Sequence, residues 1–201
     1  MLEVVPEAYF DNLILVGESP SSVAPMSIVE LHLYSYLGCI LALFRGQPIS
    51  DWGYGYSVTS EGFPFSAELE DARRVLSDSG VLEVDESGLI RANFRLLNAE
   101  LKTVLSISSW EERRRYLRTA TECALALPVG SIRYAINQTP GILPSLALKQ
   151  RRRLLDSDDI SLLYDEYTVV RSVVGEDSVL SPAVVWLSAR IMRTGETADA
   201  V

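Results

Sequence analysis

The side chains that could do chemistry in this chain are few, and their spacing argues against most reactions. His32 is the only histidine and lies inside the apolar run "SIVELHLYSYLGCILALF". A histidine-dependent triad or metal centre would have to be built around a residue whose neighbours belong to a core. Cys39 and Cys123 sit among apolar residues without metal-ligand spacing, which reads as two buried free thiols in a reducing compartment. "DWGYGY", 51–56, has glycines but neither the lysine nor the preceding strand of a phosphate loop. "DSDD", 156–159, fits no cation-loop spacing and suits the start of a helix better. The expectation is a protein without catalytic residues and without a cofactor or metal.

Two arginine triplets remain. Arg113 to Arg115 follow Glu111 and Glu112, and Glu111 and Arg115 stand four apart, the spacing of a solvated, self-paired helix face. Lys149, Arg151, Arg152 and Arg153 fall near the end of a helix expected from about 145 to 155, where cations complement the negative terminus. Spread around a helix, these four are the candidate contacts to nucleic acid.

The elements that must position these groups are legible in part. Residues 1–25, with prolines at 6, 20 and 25, read as an irregular lead-in. Ser27 and Glu30 have capping-box spacing and open an almost wholly apolar helix that Gly46 stops. The aromatic stretch Trp52, Tyr54, Tyr56 reads either as a short helix capped by Asp51 or as a loop folded onto the core. Ser66 caps a further helix whose Leu69, Ala72 and Leu76 share a face. Val81 to Val84 and Ile90 to Phe94 alternate around "DESG", a hairpin with Gly88 at the tight turn. Helix, short element, helix, hairpin is the winged-helix order, assigned to 26–95.

From 96 to 193 the pattern is mostly helical. Ser109 and Glu112 suggest a second capping box, "SIRYAINQ" a short helix, "DSDD" a cap, and Ser181-Pro182 the start of a last helix. The valine-rich 168–180 stays open between helix and a second, degenerate wing with a turn at "GED". Residues 194–201 read as a disordered tail. The fold class expected is mainly α, a winged-helix module of three helices plus a hairpin wing followed by a helical half.

The exposed arc expected for the 66–79 helix holds Glu70, Asp71, Arg73, Arg74, Ser77 and Asp78, and the wing tip carries Asp85 and Glu86. A helix entering a major groove should not bring net negative charge to phosphates. The whole chain is acidic as well, with a formal charge of -9, which disfavours broad nucleic-acid binding. Charged residues make up only 22% against 48% hydrophobic, so part of the surface is expected to lie under a partner. Arg73, Arg74 and Asp78 are the residues assigned to that contact. The longest apolar segment, Leu33 to Phe44, is too short to span a bilayer, and the first residues lack the pattern of a signal peptide. The expected location is cytoplasmic, without a membrane partner.

The run from "SIVELHLYSYLGCILALF" through "DWGYGYSVTSEG" to "FSAELEDARRVLSDSGVLEV", with Trp52, Tyr54, Phe65, Leu69, Leu76, Gly80 and Leu82, resembles the middle components of ABC-three-component, or Lamassu-type, bacterial anti-phage systems. The resemblance covers 27–94. It implies a non-catalytic accessory subunit that docks on an SMC- or Rad50-like ATPase together with an effector subunit, DNA being contacted weakly or through the complex. The alternative expectation is a winged-helix regulator that binds an operator as a dimer.

Overall fold

Pro6 begins a helix rather than breaking one. The structure, a computed structural model, describes residues 4–106, 108–175 and 178–198. Helix α1 runs Pro6–Gly17. Proline suits the first helical position, because its missing N–H would be unpaired there and its φ is already helical. The irregular lead-in expected over 1–25 is therefore corrected to a helix, and one buried over most of its surface: Phe10, Leu13, Ile14 and Leu15 pack inward together with Asp11 and Asn12. Helix α1 lies against four others, and Asn12 donates to the carbonyl oxygens of Ala8 and Leu69.

Strand β1 (Met26–Ser27) leads into α2 (Ile28–Phe44), where the Ser27–Glu30 capping box forms in both directions. Every residue of α2 from Leu31 to Phe44 is buried. It is the central helix, and its most extensive partner is α5 (Glu111–Glu122). At Gly38 a Cβ would stand 3.0 Å from Leu117, so the glycine lets the two helices approach closely. Beyond α2 a 3-10 turn at Ile49–Trp52 precedes a short hairpin, β2 (Ser57–Val58) with β3 (Pro64–Phe65). Trp52, Tyr54 and Tyr56 are buried in this loop, the second of the two arrangements expected.

Ser66 caps α3 (Ala67–Asp78) by accepting from the Leu69 N–H. Strands β4 (Leu82–Val84) and β5 (Leu89–Ala92) follow, and β5 lies between β4 and β1 in an antiparallel three-stranded sheet. Gly88 turns the hairpin at φ +80°. Phe94 does not continue the strand. Asn93 accepts from the Leu96 N–H and caps α4 (Phe94–Val104), which leaves Phe94 exposed in its first turn.

The second half departs from expectation in three places and decides one alternative that the sequence leaves open. Helix α5 lacks the Ser109–Glu112 box, because a 3-10 turn at Ser108–Trp110 puts Trp110 at the cap position. After α6 (Val129–Asn137), helix α7 (Ile142–Leu148) ends well before 155: Lys149 turns left-handed and the chain continues extended. Helix α8 (Ser157–Val174), capped by Asp156, runs through the valine-rich stretch that the sequence leaves open between helix and a second wing. Leu163 and Tyr167 hold that helix to the core, and packing overrides the strand preference of the valines. Gly175 ends α8; the rest of the expected "GED" turn lies outside the described residues. Helix α9 (Leu180–Ala198) continues through most of the tail expected to be disordered, of which 199–201 lie outside the described residues.

Helix α9 packs on α6 and α5, and Phe44 joins both α8 and α9 to α2. Its ring stacks on Tyr167 at 4.1 Å and meets Trp186 edge-on at 5.1 Å. Buried residues from Ala8 to Leu187 form one continuous core. The protein is mainly helical with a small antiparallel sheet, and no helix among the described residues is long and apolar enough to cross a membrane.

Candidate functional site

Of the three residues assigned to a partner contact, Arg73 is withdrawn from the surface. It is only 8% exposed. Its guanidinium donates to both oxygens of Glu70 at 2.8 Å and to Ser77 at 3.3 Å. Packing of α1 along α3 widens the covered face beyond what the periodicity of α3 alone indicates. Burial works against the Glu70 charge, but Arg73 more than compensates and holds the carboxyl below its ordinary value. Arg74 and Asp78 are exposed, and Arg74 reaches Glu70 at 3.1 Å and Asp71 at 3.7 Å. The charged groups left on the outer side of α3 are Asp71, Arg74 and Asp78, an acidic set. At the β4–β5 hairpin, Asp85 builds the turn: it accepts from Ser87, Leu89 and Arg91, bonds that hold its carboxyl well below the usual range.

The second arginine cluster is not on a helix end. Residues 152–154 pair with β2 around an antiparallel bridge between Arg153 and Ser57: the Val58 N–H donates to the Arg152 carbonyl and the Leu154 N–H to the Tyr56 carbonyl, both at 2.9 Å. Arg152 turns toward Asp156 and Asp159, while Lys149, Arg151 and Arg153 are exposed. Of the "DSDD" carboxylates, Asp156 and Asp159 are accordingly engaged with Arg152 and with the backbone at the start of α8, and Asp158 is exposed.

The first arginine triplet is divided. Arg113 is buried and binds Asp11; Arg114 pairs with Glu18 and Glu111. The expected Glu111–Arg115 pair does not form. Around Arg113 lies a polar network that sequence reasoning missed. Arg113 donates to both Asp11 oxygens, at 2.5 and 2.7 Å, and to the Trp52 carbonyl at 3.0 Å. Its guanidinium lies 3.8 Å from the centre of the Trp52 ring. Tyr54 donates to Asp11 at 2.5 Å, and Ser35 links Tyr54 to Tyr56 at 2.7 Å on each side. Burial, followed by the Asp11 charge, pushes the Tyr54 hydroxyl well up. The one sequence signal was an Asp-Asn pair inside the apolar "YFDNLILV". Groups so fully paired anchor the aromatic loop between α1, α2 and α5; they offer no free acid or base.

His32 is fully buried, its Nδ1 accepting from the Ser66 N–H at 3.2 Å and its ring 4.7 Å from Phe65. Burial lowers its pKa to about 4. The Cys39 and Cys123 thiols are buried and free, and burial raises both. Comparison with protein-family models, with curated proteins and with solved structures finds no match for this chain.

Proposed function

We infer that the chain is a non-catalytic accessory subunit of a bacterial SMC- or Rad50-like ATPase complex in anti-phage or anti-plasmid defence, built on a winged-helix module and held to its partners by protein–protein contacts. The carrying observation is a pairing of topology with charge. The order α1, β1, α2, α3, β4, β5, with a 3-10 turn and the β2–β3 hairpin between α2 and α3 and with β5 between β1 and β4, supports the reading of a winged helix whose first helix is α1. The helix such a module would lay in a groove exposes Asp71, Arg74 and Asp78, and so repels phosphate.

Exposed apolar side chains support a partner. Leu162, Val169 and Val173 on α8, and Val185 and Met192 on α9, are exposed, and their spacing sets each group along one side of its helix. The resemblance of 27–94 to middle components of three-gene ATPase systems supplies the identity of the partner.

Co-expression with the neighbouring genes of the native locus tests the reading. A complex containing an SMC-like ATPase, seen by size exclusion and mass spectrometry, is expected. A chain that purifies alone, with no ATPase gene beside it, overturns it. Duplex binding tighter than micromolar at physiological salt, with a steep salt dependence, favours the operator-binding regulator instead.

A further inference from the structure

The antiparallel pairing of 152–154 with β2 gives the second arginine triplet an order that a helix would not. Successive side chains of an extended chain alternate in direction. Arg152 and Leu154 face inward, one to Asp156 and Asp159, the other into the core at 2% exposure. Arg151 and Arg153 face outward, and neither is paired among the described residues. Left-handed turns at Lys149 (φ +51°) and Leu155 (φ +60°) bracket the segment and hold it against β2. The result is a short basic edge on an acidic protein.

Beside Arg153 lies a cleft of about 490 Å³ with a buried floor made by Cys39, Tyr54, Tyr56, Leu154 and Leu155. It continues past Gly55 along Ala67. Among the described residues, Glu68 is the one carboxylate that lines it. It accepts from the Ser66 hydroxyl at 2.9 Å and sits in the first turn of α3, where the helix dipole favours it.

We propose that this cleft and its basic edge dock an acidic, extended segment of a partner protein. One apolar side chain of that segment enters the cleft, and carboxylates on alternate positions meet Arg151 and Arg153. An extended ligand repeats its side-chain direction every second residue, as the two arginines do. The guanidinium fork accepts a carboxylate through two bonds. A duplex laid on this edge would meet Glu68 in the cleft and the field of a chain carrying -9. The inference rests on the docking reading only in taking the occupant to be protein.

The probes are a fluorescein-labelled peptide alternating Glu and Leu, its Gln–Leu counterpart, and a labelled DNA duplex. Each is titrated with the full chain at physiological salt. The Glu–Leu peptide is expected to bind, and the Gln–Leu peptide to bind roughly tenfold more weakly. A folded Arg151→Glu/Arg153→Glu variant should lose about the same factor. Gly55→Phe should weaken binding too, since a side chain there enters open space beside Arg153. Equal binding of the two peptides, binding that survives the charge reversal, or no peptide binding below millimolar overturns the proposal. A duplex that binds more tightly than the peptide and is released by the same charge reversal overturns it in favour of nucleic acid. Co-purification with an ATPase is read separately. A complex without peptide binding removes this inference and leaves the docking reading, and peptide binding without any ATPase does the reverse.

Discussion

Arg113 holds Asp11 through two hydrogen bonds across 102 positions of sequence, in a site where Asp11 has no exposed surface. The pair ties α1 to α5, and the Trp52 carbonyl and ring tie the aromatic loop to both. Removing one member leaves the other charged and buried. Asp11→Asn or Arg113→Met should each cost about 3–5 kcal/mol in urea unfolding. Arg113→Lys should not rescue, because an ammonium cannot make the two-pronged bond and cover the Trp52 ring together. The double variant Asp11→Leu/Arg113→Met should recover much of the loss, and a purely additive result would show that the pair is not coupled.

Arg73 and Arg74 are neighbours with opposite roles. Arg73→Ala strips Glu70 of its main partner in a covered position and should cost about 2–4 kcal/mol by urea unfolding. Arg74→Ala changes an exposed group and should stay within about 0.5 kcal/mol. Equal effects would contradict the burial of Arg73.

His32 should make stability rise with pH. Its folded pKa, about 4, lies below its ordinary value of 6.5, with burial as the main cause and nearby Glu70 and Arg73 acting in opposite directions. The unfolded chain therefore takes up the proton first. Stability is complete above 6.5 and is lost as pH falls toward 4, by roughly 2 kcal/mol at pH 5. Asp11 and Asp159, raised mainly by burial, slope the opposite way. No other histidine shares the window. Chemical unfolding at pH 5, 6 and 7 should show the slope in the native chain and not in His32→Gln.

The β4–β5 turn needs a residue without Cβ strain. Gly88 stands at φ +80° with nothing within 4 Å of a built Cβ. Gly88→Val should therefore cost about 1–3 kcal/mol through backbone strain alone, and Gly88→Asn clearly less. Thermal unfolding of the two variants separates strain from lost packing, since no packing is present to lose.

Local signals were enough for the start of α2, where Ser27 and Glu30 bond only to each other's backbone, for the Ser66 cap of α3, and for the turn at Gly88. Each is complete within a few residues, so the chain itself determines it. Helix α1 escaped notice because Pro6 reads as a breaker until its place at the first turn is known. Arg73, Arg113 and Arg152 all read as solvent-facing, yet each is bound to a carboxylate of its own chain. Whether an arginine pairs inside or meets solvent depends on what packs over it. Glu70 stands three residues from Arg73, but both are buried only in the assembled fold, where His32 of α2 lies beside them. Asp11 stands 102 residues from Arg113. The alternation of Arg151, Arg152 and Arg153 likewise exists only because β2 supplies backbone partners from far along the chain. Periodicity describes one element at a time, whereas burial and the pairing of charge belong to the contacts between elements, and those only the tertiary structure decides.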